Sequence, residues 1–464
     1  MKDTGEPQPN PYESPKSVSQ YEALPLNDIG GEKPTFVRYL VLAALCTLAF
    51  IFYVDRICIS KAVTSIEEDL KISHSQMSLV LAAFTLSYAA FEIPVGWWGD
   101  RYGSRGVLTR IVIGWSVFTA LTGATLGLFS LMTVRFLFGA AEAGAFPNTA
   151  RILSRWFPVQ SRGFAQGMIN AMAMVGASAA PVMTAYLIKN PNVGWRWTFV
   201  IFSLPGILWA VVFYWWYRDD PLTHPSVNAA ERKLIQAGTR NTKGEGHPAI
   251  PWSLVFVHAP IWMLGAIITC TAFNSYLYFS WYSTYLEKGR GVIPIDSGWL
   301  ASLVLGGGAI GSISGGFIID FLTRMSGDRR NSRRWWCSSV LVLAAGILVL
   351  GVQFQQPSYS AAFTSVSVLL TLSTLASWWG AVTDVSGRHI GALFGLMNSL
   401  GAVGAIASQL FVGPFVDNMK GFGFTGRAQW DPIFYVYATV LCLGAVGWLM
   451  VDSTRPLPED EHAA

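Results

Sequence analysis

Apolar stretches long enough to cross a lipid bilayer recur along the whole of this 464-residue chain. The hydrocarbon core of a bilayer is spanned by roughly 20 apolar residues of helix. Six such stretches lie near residues 37–57, 76–98, 107–127, 130–152, 163–188 and 197–217. After a polar segment, six more lie near 256–286, 297–322, 335–354, 360–384, 389–415 and 433–452. The pattern predicts an all-α membrane protein with twelve transmembrane helices in two groups of six.

The polar segments between and around the two groups divide the chain into five parts. Residues 1–35 are polar, rich in proline and without the apolar stretch of a signal peptide, which predicts a disordered tail. We expect a cytoplasmic tail over 1–35, a six-helix bundle over 36–218, a cytoplasmic linker over 219–252, a second bundle over 253–453 and a cytoplasmic tail over 454–464.

Arginines are concentrated in the loops that follow the even-numbered predicted helices, among them Arg155, Arg218 and Arg334. Cytoplasmic loops of membrane proteins carry an excess of Lys and Arg. The bias therefore predicts that both termini are cytoplasmic.

Composition supports a membrane protein and argues against other classes. The chain is 52% hydrophobic and 13% charged, against about 25% charged in a typical soluble domain. The net charge of +4 belongs to membrane loops, so nucleic-acid binding has no support. The five cysteines are scattered and suit packing better than disulfides or a metal site. With no metal-ligand or nucleophile–base cluster, we expect neither an enzyme, a resident cofactor nor a bound metal.

Two charges lie inside the fourth apolar stretch. Arg135 and Glu142 are seven residues apart, which places them on one face of a helix, about 10.5 Å apart along its axis. A charge at the bilayer centre costs roughly 2.5–3.5 kcal/mol, and intramembrane ionisable groups are usually functional. The alternative is a structural ion pair between helices.

Asp55 and Arg56 lie at the predicted outer end of the first helix. One interpretation is an interfacial pair whose charges reach water. In the other, Arg56 binds a substrate carboxylate with its planar fork, and Asp55 is a protonatable neighbour.

The charges of Asp55, Arg56, Arg135 and Glu142 sum to zero. An incoming anion upsets this neutrality unless a carboxylate takes up a proton. A buried carboxylate beside an arginine binds protons weakly, and its affinity rises if the arginine turns to the substrate. Anion and proton binding would then favour each other, which is the thermodynamic basis of symport.

The loop that follows the second predicted helix has a partial copy after the eighth. The first reads Gly96-Trp-Trp-Gly-Asp100-Arg101-Tyr-Gly103-Ser-Arg105, and the second reads Gly316-Phe-Ile-Ile-Asp320 with Arg324 one turn later. Each copy follows the second helix of its half, and parallel six-helix repeats are typical of one transporter architecture. We expect a gating role, a latch on the cytoplasmic side, for Asp100, Arg101, Arg105, Asp320 and Arg324.

These loops and the two groups of six helices resemble the major facilitator superfamily. Within it, three segments are similar to the anion:cation symporter family, which includes bacterial hexuronate, galactonate and glucarate transporters. The segments are Asp55-Arg56, the block from Arg135 through Glu142-Ala-Gly to Trp156-Phe-Pro158, and Gly194-Trp-Arg-Trp-Thr-Phe199. The resemblance covers residues 36 to about 453 and implies two six-helix bundles around a central cavity.

The resemblance also implies residue roles. Asp55 and Glu142 match the proton sites, Arg135 matches the residue that couples them to the substrate, and Arg56 matches the carboxylate-binding arginine. Tyr88 matches a donor to substrate or carboxylate, although packing is the more frequent role of such a tyrosine. Glu92 departs from the family, which usually has glutamine there, and its role stays open.

The second half has no charges in the middle of its helices, so neutral groups must contact the anion there. Asn274, Tyr278 and Tyr282 recur every four residues and form one stripe, which is either a face for sugar hydroxyls or ordinary packing. Ser377, Trp378 and Asn398 are similar in position to polar residues that line cavities of the resembled family.

The sequence therefore predicts a transporter that takes up an organic anion with protons by alternating access. A sugar acid, either a hexuronate, an aldonate or an aldarate, is the leading substrate class. The alternatives are uptake or exchange of another carboxylate, and a membrane receptor that binds without transport. The expected partners are the anion, protons and the lipid bilayer. We expect a functional monomer, in a bacterial inner membrane because the central loop resembles bacterial members.

Overall fold

Twelve long helices lie within the residues that the computed structural model describes, which are 33–237, 252–386 and 390–452. They are α1 Val37–Leu70, α2 His74–Tyr102, α3 Ser104–Thr122, α4 Leu128–Trp156, α5 Val159–Lys189, α6 Gly194–Trp216, α7 Ala259–Ser280, α8 Pro294–Ser326, α9 Arg329–Gln353, α10 Pro357–Ser386, α11 Ile390–Gly421 and α12 Pro432–Met450. All except α3, which carries Arg105 and Arg110, are long and apolar enough to cross a membrane. The prediction of an all-helical membrane protein is confirmed. Nearly all of the predicted tail over 1–35, and the whole of that over 454–464, lie outside the described residues.

The helices form two six-helix bundles whose internal pairings repeat. In the first bundle α1 packs on α5, α2 on α4 and α3 on α6. In the second, α7 packs on α11, α8 on α10 and α9 on α12, which is the same pattern six helices later. The bundles meet where α5 packs on α8 and α2 on α11. The repeat seen in the loops thus extends to the whole fold.

The first helix is longer than predicted. We placed Asp55 and Arg56 at its outer end, but α1 continues to Leu70, so the two residues lie near its middle. Asp55 is only 1% exposed. The apolar stretch in the sequence ends before the helix does, because Lys61 and Glu67 follow it. Both of these side chains are nevertheless buried. The interpretation of Asp55-Arg56 as an interfacial pair is wrong.

Helix α4 is interrupted immediately after Glu142, where we predicted one continuous helix. Its two segments are Leu128–Glu142 and Ala145–Trp156. Gly144, between them, has a φ of +82°, and a Cβ there would lie 2.5 Å from Val95 Cγ1. Only glycine fits that conformation and that space. The predicted stretch 256–286 is also interrupted, because α7 ends at Ser280 and a π-helical turn, Tyr285–Gly289, follows.

One face of the molecule is closed by contacts between the bundles. Lys61 of α1 is 3% exposed, forms an ion pair with Glu287 and donates a 2.7 Å hydrogen bond to Ser297 Oγ. The backbone nitrogen of Ser75 in α2 donates to Asp417 of α11 over 2.8 Å. These contacts join the end of α1 and the start of α2 to the second bundle.

The opposite face, where α1 begins and α12 ends, is open. Along α11, a Cβ on Gly413 at the closed end would overlap the His74 carbonyl of α2. At the other end of the same helix, no atom of a described residue lies within 4 Å of a Cβ on Gly395, and the same holds for Gly163 and Gly167 of α5. The bundles therefore separate toward the face that carries both described chain ends. The space between them, where Glu92, Tyr276 and Asn398 are exposed or partly exposed, is called the cavity.

Part of the predicted linker packs against the first bundle. The short helix Ala229–Ala237 carries Glu231, which is buried and accepts hydrogen bonds from the Thr35 hydroxyl and the Arg38 backbone nitrogen. Residues 238–251 of the linker lie outside the described residues.

The ion pair of Lys61 and Glu287 generates a stability prediction. Glu287→Gln leaves Lys61 buried without its counter-charge, and breaking a buried pair in this way costs about 3–5 kcal/mol. Thermal unfolding of the purified protein in detergent should show a marked loss of stability. The double variant Lys61→Met/Glu287→Met should recover most of it.

Lys288→Gln is the matched control, because Lys288 forms an exposed ion pair with Glu68 between the same bundles, at 2.5 Å. Exposed pairs contribute roughly 0–1 kcal/mol. If Glu287→Gln is no more harmful than this control, the buried pair does not hold the closed face together.

Candidate functional site

Helices α1 and α4 meet through an ion pair in the middle of the first bundle. Arg56 Nε lies 3.1 Å from Glu142 Oε2, and the two side chains are 13% and 0% exposed. Besides Glu142, the Tyr53 side chain interacts with the Arg56 guanidinium, and its ring centre lies 5.8 Å from Cζ. Glu142 is bound through Nε, so the terminal nitrogens retain donors for a carboxylate.

Aromatic rings surround the Arg56 guanidinium. Its Cζ lies 4.3 Å from the centre of the Tyr88 ring, 4.9 Å from Phe84 and 4.9 Å from Phe52. Cations are attracted to aromatic faces within about 6 Å. These rings hold the guanidinium in place without neutralising it. One of them belongs to Tyr88, so this predicted site residue contacts Arg56.

Arg135 and Asp55 complete the charged group next to this pair. Each is 1% exposed, and Asp55 interacts electrostatically with both Arg135 and Glu142. Arg135 rests on the Phe138 ring at 4.3 Å, but its Nε and Nη1 have no hydrogen-bond partner among the described residues. The Trp115 indole interacts with the Asp55 carboxylate. Buried polar atoms normally have partners. The four predicted charges thus lie together, and some of their polar atoms remain available for hydrogen bonds.

A glycine allows α4 to approach α2 closely enough to build this group. A Cβ on Gly139 would overlap the Ser87 hydroxyl and the Phe84 carbonyl oxygen of α2. Gly139 lies between Arg135 and Glu142 in sequence, so the close approach positions both charged side chains against the face of α2 that carries Phe84 and Tyr88.

Glu92 and Asn398 link the two bundles at the cavity. Asn398 Nδ2 of α11 donates a hydrogen bond to Glu92 Oε2 of α2. The Asn398 residue is exposed, Glu92 is partly exposed, and Glu92 interacts electrostatically with Arg56. The structure therefore places the predicted residue Asn398 near the charged group, together with the acid whose role the sequence left open.

Tyr276 is the residue of α7 that faces the charged group, and the sequence prediction missed it. Its side chain is partly exposed and interacts electrostatically with Arg56 and Glu142. The predicted stripe lies elsewhere on α7 and just beyond its end: Asn274, Tyr278 and Tyr282 are 1–3% exposed. Tyr278 lines a small void between the bundles together with Met174 and Ala177 of α5. A spacing of four residues identifies a stripe but does not indicate which side of the helix faces the cavity. The binding role of these three residues stays a prediction.

Ser377 and Trp378 of α10 are also buried inside the second bundle. The Trp378 indole donates a 2.9 Å hydrogen bond to the Leu264 carbonyl of α7, and the Ser377 hydroxyl interacts with the Cys337 thiol of α9. Their contact with a substrate stays a prediction.

The predicted gating residues lie at the open face. Arg101, Asp320 and Arg324 are exposed and form no ion pair within the described part of the chain. Arg105 instead joins α3 to α6 through a 2.8 Å hydrogen bond from its Nε to the Tyr214 carbonyl. The Asp100 side chain lies outside the described residues. A latch at this face stays a prediction.

Comparison with known families identifies the architecture. Residues 45–409 match the family model described as Major Facilitator Superfamily. The chain belongs to this superfamily. Its fold, the paired bundles and the cavity between them are those of a membrane transporter, and the expectation that it is not an enzyme is confirmed.

Three relatives that match most of the chain are described as transporters, or probable transporters, of small organic anions. A probable sulfoacetate transporter of Cupriavidus necator is 29% identical over 435 residues, covering 92% of this chain and 96% of the relative. A probable galactarate/D-glucarate transporter of Bacillus subtilis is 28% identical, with 84% and 88% covered. A D-galactonate transporter of Escherichia coli is 26% identical, with 91% and 97% covered.

Solved structures with the same fold are more distant in sequence. A bacterial homologue of the human lysosomal transporter Spinster, in an inward-facing and unoccupied conformation, matches with a TM-score of 0.74 at 19% identity, covering 91% of this chain and 98% of that one. A D-xylose–proton symporter matches with a TM-score of 0.67 at 12% identity, covering 91% and 99%. At these identities the matches show the fold alone.

The close approach at Gly139 generates a second prediction. Gly139→Ala forces α4 away from α2, so it should lower the unfolding temperature and weaken binding of any ligand held by Arg56. Gly346→Ala on α9 is the control, because no atom lies within 4 Å of a Cβ there. Replacing a glycine inside a helix with alanine is otherwise favourable by roughly 0.5–1 kcal/mol. Equal unfolding temperatures for the two variants would contradict this account of the site.

Proposed function

We propose that this transporter takes up an organic anion, a sugar acid, together with protons across the bacterial inner membrane, with both termini cytoplasmic. The names of the relatives support an organic-anion substrate, because sulfoacetate, galactarate, D-glucarate and D-galactonate are all organic acids. The positive residue that suits such a substrate is Arg56, and its place at the cavity supports the assignment. The substrate and its protons are the partners, with no resident cofactor and a monomer as the working unit.

The ion pair of Arg56 and Glu142 carries the proposal. Arginine binds carboxylates most strongly through two parallel hydrogen bonds, and its free terminal nitrogens can provide them. A substrate carboxylate there competes with Glu142 for the same guanidinium. Glu142 is fully buried, so once its counter-charge is shared it is stabilised by taking up a proton.

Competition of this kind couples the two ligands. If the substrate raises the proton affinity of Glu142, the proton raises the substrate affinity by the same factor. Asp55, buried near Arg135 and Trp115, is a second group for a proton. The membrane potential opposes inward movement of one negative charge by roughly 2.3 kcal/mol per 100 mV. One proton for each monoanion removes this cost, and a second makes the step driven by the potential.

A second candidate is uptake of another small organic acid. The match to a probable sulfoacetate transporter over 92% of this chain favours it. The same mechanism at Arg56 and Glu142 serves either substrate, so a panel that includes sugar acids and sulfoacetate separates the two.

Transport by reconstituted protein tests the mechanism. Proteoliposomes with an imposed proton gradient should accumulate labelled sugar acid, and adding external anion should draw protons inward. Arg56→Ala should lose both binding and transport, since a hydrogen bond to a charged group contributes about 1.5–3 kcal/mol. Glu142→Gln should keep exchange of internal for external substrate and lose accumulation driven by the gradient.

Asp296→Asn is the control for charge removal, because Asp296 is exposed and forms no ion pair within the described part of the chain. It should transport like the wild type. Normal accumulation by both Arg56→Ala and Glu142→Gln would show that the charged group is structural, and the proposal would then fail.

A further inference from the structure

Glu92 is the acid at the cavity that the proposed coupling does not use. It lies on α2 one helical turn after Tyr88, whose ring contacts Arg56. Its Oε2 accepts the hydrogen bond from Asn398, while its Oε1 has no hydrogen bond to a described residue. The Glu92–Asn398 pair therefore presents a carboxylate oxygen and an amide oxygen to a partly exposed part of the cavity.

The charges around the cavity are unequal along its length. Near Arg56 the guanidinium offers donors to an anion. Around Glu92, the groups that interact with this acid are Arg56, Tyr88, Tyr276 and the Asn398 amide, and Arg56 is the one cation among them. A substrate carboxylate bound to Arg56 neutralises this guanidinium. A group of the substrate that reaches Glu92 then meets a negative charge without compensation.

We infer that Glu92 and Asn398 bind the end of the substrate opposite its carboxylate, and that Glu92 selects hydroxyl-bearing monoanions over dianions. This inference rests on the proposed function. A hydroxyl can donate to the free Glu92 oxygen and accept or donate at Asn398, whereas an ionised carboxylate only accepts. A second substrate carboxylate and the Glu92 carboxylate repel each other at short range in a partly desolvated site. Among sugar acids, aldonates and hexuronates are therefore preferred to aldarates.

A pair of ligands with the same carbon skeleton provides the test. D-galactonate ends in a hydroxymethyl group where galactarate has a second carboxylate. We expect the purified wild-type protein to bind D-galactonate at least about tenfold more tightly than galactarate by calorimetry, a difference typical of misplaced charge in a binding site. Glu92→Gln should tighten galactarate binding and bring the two affinities within about threefold of each other.

Misfolding cannot explain tighter binding of galactarate by Glu92→Gln. The ratio of the D-galactonate and galactarate affinities of the wild type also tests the inference without any variant. Asp296→Asn, at an exposed acid without an ion pair in the described residues, should keep the wild-type ratio. Equal wild-type affinities for D-galactonate and galactarate, or tight binding of the dianion sulfoacetate, would overturn the inference and leave organic-anion transport intact. If the wild type binds neither sugar acid, the sugar-acid assignment and this inference both fail.

Discussion

An ion pair in the middle of an apolar bundle is the constraint on which the site depends. Neither Arg56 nor Glu142 could be placed there alone, because an isolated charge at the membrane centre is costly. The sequence around each residue is organised to bring them together. Gly139 lets α4 approach α2, the interruption at Gly144 ends the helical segment immediately after Glu142, and four aromatic rings surround the guanidinium. The result is an ion pair whose position is fixed but whose hydrogen-bonding groups are not all used.

The incomplete satisfaction is what makes the pair useful for transport. Arg56 binds Glu142 through Nε and keeps donors on its terminal nitrogens, and Arg135 and Glu142 retain buried polar atoms without hydrogen bonds to described residues. A group of charges that was saturated internally would have no reason to respond to a ligand. In the proposed mechanism a carboxylate and a proton each complete the arrangement, and the neutrality of the four charges favours their arriving together.

The closed and open faces fit the alternating access that we propose for this site. Contacts at Lys61, Ser75 and Gly413 seal the face at the end of α1. At the other face, a Cβ on Gly163, Gly167 or Gly395 would meet no atom of a described residue within 4 Å. Because α2 and α11 form part of the sealed contact and also carry Glu92 and Asn398, rearrangement of the bundles would alter the site itself. Binding and access are therefore connected through the same two helices.

The sequence predicted the helices, their division into two bundles and the residues of the charged group, because apolar length and intramembrane charge are strong local signals. It misplaced the end of α1, since Lys61 and Glu67 resemble a membrane boundary until Glu287, distant in sequence, is seen to neutralise Lys61. It also missed Tyr276, because packing between the bundles decides which face of α7 is turned toward the charged group.

Proton uptake on ligand binding tests the central claim most directly. The purified protein, in detergent and weak buffer with a pH indicator, is mixed with a sugar acid that it binds. The account predicts that wild-type protein takes up protons as the anion binds, and that Glu142→Gln binds the anion with a smaller uptake. Saturable binding by the wild type with no change in pH would contradict it.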